Sequence, residues 1–76
     1  MKVVTTDGHE YMIHKTDTEG LVSIEGSEEA LEVLDDTVVL AGMSADDSIY
    51  VKSPGTRYMH EGSAALWLQF ELLNFN

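Results

Sequence analysis

Leu21-Val22-Ser23-Ile24-Glu25-Gly26-Ser27-Glu28-Glu29-Ala30-Leu31-Glu32-Val33-Leu34-Asp35-Asp36 is the stretch on which the fold turns. Its opening residues, 21–24, are rich in aliphatic side chains and suit a strand. Glu25-Gly26-Ser27 breaks that run, and helical spacing follows. Ser27 is a good N-cap, and Glu28 and Glu29 occupy the first turn, where the helix dipole favours negative charge. Ala30, Leu31 and Leu34 share one face with Val33 at its margin, while Glu28, Glu32 and Asp35 run down another. The spacing predicts a helix over 28–36, aliphatic inside and acidic outside. Asp35 and Asp36 then stand at the end of the helix that favours cations, so another group is expected to hold acids there.

Upstream, residues 2–6 and 9–15 are strand-like runs on either side of Asp7-Gly8. Asp-Gly in that setting is a strong hairpin signal, with a type I′ turn expected. Residues 16–20 read as a polar turn. Downstream, 37–41 and 48–52 read as strands joined by Ser44-Ala45-Asp46-Asp47, a hairpin with two adjacent carboxylates at its tip. Ser53-Pro54-Gly55-Thr56 suits a type II turn. The C-terminus admits two readings. A helix capped by Ser63 would bury Trp67, Leu68 and Leu72 and expose Leu66, Phe70 and Leu73. A strand would align Leu66, Leu68, Phe70 and Leu72 on one face, and the strand is the expectation. The fold class is α+β: a small, mainly antiparallel sheet of about five or six strands with one acidic helix packed on one face. Residues 1–76 form a single domain, and the open sheet edges leave room for a homodimer.

Of the 76 residues, 43% are hydrophobic and 24% charged, so the chain should fold. It has no cysteine, which removes disulfides and Cys-ligated zinc. No apolar run approaches the ~18 residues of a membrane span. Met1-Lys2 leads into strand-like sequence, with no signal peptide expected. Fourteen acids face four Lys and Arg, for a net charge of -10. Direct nucleic-acid binding is therefore disfavoured, because phosphate contacts need cations. Between Thr16 and Val51 there is no Lys or Arg, and that interval holds ten of the fourteen acids. A solvated face or adaptation to high salt would explain such a surface. An acidic patch made to meet a basic groove explains it as well, and is the reading preferred.

Chemistry of other kinds finds little support. His9 and His14 are five apart, so on one strand they point to opposite faces and share no metal. Neither a zinc-protease helix nor a calcium loop is present, and no metal or other cofactor is expected. No strained serine elbow or phosphate-binding glycine loop occurs. A domain of this size rarely keeps a pocket of ~300 Å³ beside its core. The chain is read as a non-enzyme. Met12, Met43, Met59, Trp67, Phe70 and Phe75 exceed what so small a fold is expected to bury, and Met43 beside the acidic turn is the preferred exposed contact.

The strand with Ser23-Ile24, followed by Glu28-Glu29-Ala30-Leu31-Glu32-Val33-Leu34, resembles the strand-then-acidic-helix segment of the phage uracil-DNA glycosylase inhibitors. The expected 36–51 hairpin and apolar 66–72 strand fall in a similar order. Two features depart from that family: the opening Asp-Gly hairpin, and the lack of an acid directly before Ser23. The resemblance implies a DNA mimic whose acids occupy a glycosylase's DNA groove and whose apolar residues enclose a protruding side chain. It would set Glu28, Glu29 and Glu32 against the groove, with Leu31, Val33 or Leu34 and Met43 lining the pocket. The expected partner-binding acids are thus Glu25, Glu28, Glu29, Glu32, Asp35, Asp36, Asp46 and Asp47. The expected partner is a host DNA-binding enzyme with a basic groove, met in the cytoplasm of an infected bacterium. A phage anti-CRISPR protein, or an adaptor using a sheet edge or apolar patch, are the alternatives.

Overall fold

The computed structural model describes residues 1–40 and 49–74. Strand β1 (Lys2–Val4) is followed by β2 (Glu10–Lys15), β3 (Leu21–Glu25), helix α1 (Glu28–Leu40), β4 (Ile49–Ser53), β5 (Thr56–His60) and helix α2 (Glu61–Asn74). The sheet runs in the order β1-β2-β3-β5-β4, and each neighbouring pair is antiparallel. The fold is α+β, with two helices among the described residues.

Alternation along the strands divides the sheet into two faces. Tyr11, Val22, Ile24 and Met59 point to the helical layer, where they bury against Ala30, Leu31, Leu34 and Val38 of α1 and Ala64 and Trp67 of α2. Trp67 meets the Tyr11 ring edge to face, with centroids 5.0 Å apart and planes at 85°. Tyr11 also donates its hydroxyl proton to the Ala30 carbonyl at 2.7 Å, joining β2 to the first turn of α1.

Several expectations are corrected. Residues 37–40 are not a strand but the last turn of α1. Thr37 and Val38 are buried on the stripe already formed by Ala30, Leu31 and Leu34, so packing outweighs the strand preference of their branched side chains. The expected hairpin of 37–41 and 48–52 thereby loses its first strand, and its tip lies outside the described residues. Its second strand pairs instead with β5, a segment whose sequence carries no clear strand signal. Residues 66–72 are helical and not a strand. Ala64 and Trp67, three apart, both reach the core, whereas Leu66 is exposed; the 2-residue alternation of leucines competed with this 3-residue spacing and lost.

The opening hairpin forms with a different turn. Gly8 N–H donates to Thr5 O at 3.0 Å and Thr5 N–H to His9 O at 2.9 Å. Gly8 has φ 92° and no non-glycine among the described residues has positive φ, which rules out type I′. The turn at Pro54-Gly55 keeps the expected positive φ at Gly55, 82°. No helix among the described residues is long and apolar enough to cross a membrane.

Candidate functional site

Helix α1 is held at its start, in its middle and through its inner stripe, and this decides which of its acids are free. Ser27 caps it as expected: its Oγ accepts the Ala30 N–H at 3.1 Å, and its carbonyl accepts the first helical bond from Leu31 at 2.9 Å. Just before the cap, Gly26 sits where a Cβ would come within 3.3 Å of the Glu10 carbonyl and 3.4 Å of the Tyr11 ring. The chain leaves β3 through this narrow place and crosses above the sheet.

At mid-helix, Asp35 meets Arg57 of β5. Arg57 Nε donates to Asp35 Oδ1 at 3.1 Å and Nη2 donates to Oδ2 at 3.2 Å. Arg57 Nη1 donates to the carbonyls of Ser53 and Thr56, at 3.0 and 3.1 Å. One guanidinium thus ties the β4–β5 turn to α1 in a fork geometry that lysine could not supply. Because α1 continues to Leu40, Asp35 and Asp36 are not at its C-terminal end. The group expected to hold acids there is Arg57, and it holds Asp35 alone.

With 100° between successive residues, Glu28, Glu32, Asp36 and Glu29 fan across the side of α1 opposite its buried stripe, and all four are exposed. From Glu28 to Asp36 the helix rises about 12 Å. That is one free carboxylate per ~3–4 Å, close to the ~3.4 Å of axis per phosphate on one DNA strand. α1 carries no basic residue in its last turn. An open cleft of about 330 Å³ adjoins this surface, lined by Glu28, Leu31, Glu32, Pro54, Gly55 and Arg57. A second, more apolar groove of about 310 Å³ lies between α2 and β2, lined in part by Met1, Ile13, Val22, Ala64 and Leu68. Clefts of the volume thought rare in so small a domain are present, as open grooves.

The structure sorts the expected contact residues into separate groups. Glu28, Glu29, Glu32 and Asp36 come together. Asp35 is engaged by Arg57. Glu25 pairs in register with Met12 and Thr56 on the sheet face turned away from the helices, where its carboxylate is 3.5 Å from His14 Nε2. Leu31 and Leu34 are 1% and 0% exposed, so both belong to the core, with Leu31 reaching only the floor of the cleft beside Glu28 and Glu32. Val33 is half-buried at the margin of the outer face. Met43, Asp46 and Asp47 lie outside the described residues. Of the apolar residues in surplus, Met59 and Trp67 are fully buried and Met12 is 39% exposed.

Sequence reasoning missed the exposed apolar end of α1. Val39 and Leu40 are 62% and 73% exposed. Continuing the i, i+4 series from Glu28, Glu32 and Asp36 would have found Leu40, had 37–41 not been assigned to a strand.

One further cluster lies in the β1–β2 turn. The Thr5 hydroxyl donates to Asp7 Oδ1, and His9 Nδ1 lies 2.8 Å from Asp7 Oδ2. These contacts, the Thr5 bond foremost, hold the Asp7 carboxyl below its ordinary value of 3.8. Asp7 stands between Thr5 and His9, so the histidine does not reach the hydroxyl through it as a base would. Among the described residues no group of three or more His, Asp or Glu is placed to hold a metal.

Comparison with known protein families, curated proteins and solved structures finds no match for this chain.

Proposed function

We propose that the protein is a non-enzymatic inhibitor that imitates DNA and occupies the basic groove of a host nucleic-acid-handling enzyme through the outer face of α1. The observation that supports this most is the row of exposed carboxylates Glu28, Glu29, Glu32 and Asp36, at nearly the axial charge spacing of one DNA strand, on a helix with no cation of its own. Such a surface releases counterions from a basic groove and is drawn to it from a distance, so association is fast and steeply dependent on salt. A uracil-DNA glycosylase is the first enzyme to assay. That choice rests on the resemblance over 21–34 alone, since the first arm of the expected 36–51 hairpin is the end of α1 and the expected 66–72 strand is part of α2. The setting is the cytoplasm of an infected bacterium.

The immobilised protein should retain a DNA-handling enzyme from a bacterial lysate at low salt and release it to that enzyme's own DNA. The Glu28→Lys/Glu32→Lys variant should keep the fold and bind the retained enzyme with an association rate lower by about tenfold or more. Retention of a partner indifferent to DNA and to moderate salt would overturn mimicry and favour the adaptor. Inhibition of uracil excision from an oligonucleotide would name the glycosylase.

A further inference from the structure

We infer that Val39 and Leu40 are the apolar anchor of the α1 surface, seated in an apolar recess beside the partner's basic groove; this rests on the proposed role of α1. The inner stripe of α1 ends with Thr37 and Val38, both buried, and the helix needs neither Val39 nor Leu40 for its packing on the sheet. Their angular positions on α1 place Val39 in line between Glu28 and Glu32, and Leu40 beside Glu29 and the half-buried Val33. The outer face is therefore polarised along its axis, with carboxylates over its first two and a half turns and bare aliphatic carbon over its last.

That polarity selects the occupant. The acids admit a basic surface and repel a second copy of the same acidic face, so the chemistry that fits is a cationic groove with an apolar recess at one end. The two ends of α1 then divide the work. Carboxylates set how fast the partner arrives, and charge alone would meet any basic groove. Aliphatic burial sets how long the partner stays, which distinguishes one groove from another.

The probe is the DNA-binding fraction of a bacterial lysate, followed by kinetics with the enzyme purified from it. Val39→Ala/Leu40→Ala should leave the circular-dichroism spectrum and the association rate unchanged and raise the dissociation rate by about tenfold or more. Glu28→Lys/Glu32→Lys should do the reverse. Unchanged dissociation in the alanine variant, with the parent protein still binding, overturns the anchor and leaves the mimic standing. Failure of the parent to bind anything displaced by DNA overturns both. Sedimentation that shifts from dimer to monomer on Val39→Ser/Leu40→Ser also overturns the anchor, since the pair would then be a contact between copies.

Discussion

Asp7, Asp35 and Glu32 are all carboxylates in turns or helices near the surface, yet each has a different occupation, set by what lies within about 3 Å. Asp7 is the hub of its own turn, taking the Thr5 hydroxyl and facing His9. Its folded carboxyl titrates below the unfolded value of 3.8, so its contribution to stability is fully present above that value and lost as pH falls through the lower, folded one. The stability difference between the parent protein and Asp7→Asn, from urea unfolding, should be present at pH ~5 and shrink below pH ~3.8. A difference that persists undiminished into acid would contradict the role given to this carboxylate. Asp7-Gly8 marked the turn in the sequence because aspartate and glycine have strong local preferences. The turn type was not legible, since only the paired strands decide how many residues the loop spans.

At the scale of elements, the Arg57–Asp35 ion pair, the Tyr11 bond to Ala30 and an aliphatic stripe fasten α1 to the sheet. The Arg57–Asp35 pair is largely shielded, with side chains 14% and 23% exposed, and it joins three segments. Asp35→Asn or Arg57→Ala should cost about 1–3 kcal/mol in urea unfolding, while Glu32→Gln should change stability by less than about 0.5 kcal/mol. Equal losses at 35 and 32 would mean that the two acids are alike and that the division drawn between them is wrong. The start of α1 was legible: Ser27 and the glutamates after it mark it by local hydrogen bonding and charge. Ends were not. Residues 37–40 have strand-like side chains, and 66–72 alternate like a strand, but both segments become helical where a 3- or 4-residue spacing carries bulk into the core. For α2 that bulk is Trp67, fully buried against Tyr11, with its Nε1 meeting no acceptor among the described residues.

Across the whole molecule, a net charge of -10 over extents of 34 × 23 × 19 Å makes the folded state repel itself. Raising ionic strength from about 10 mM to about 150 mM shortens the screening length from about 30 Å, the span of the protein, to about 8 Å. The thermal midpoint should therefore rise, by about 4–8 °C for each kcal/mol of repulsion removed in a domain of this size. Circular-dichroism melts in sodium chloride and in choline chloride should agree; a flat or falling midpoint would show that the acids are not in net conflict. The proposed partner, with a basic groove, would relieve the same repulsion on binding.

Composition and local pattern by themselves determined that the fold is α+β, that the chain is acidic, that a hairpin opens it and that a capped acidic helix follows the third strand. Each of these depends on residues within a few positions of one another, or on a sum over the chain. Only the tertiary structure decided where α1 ends, that the C-terminus is a second helix, that Arg57 takes Asp35 out of the acidic surface, and that Glu25 faces away from it. Those outcomes depend on β5 coming back between β3 and β4, which sets Arg57 opposite a residue 22 positions earlier. Contacts across such distances follow from shape and burial, and local preference does not encode them.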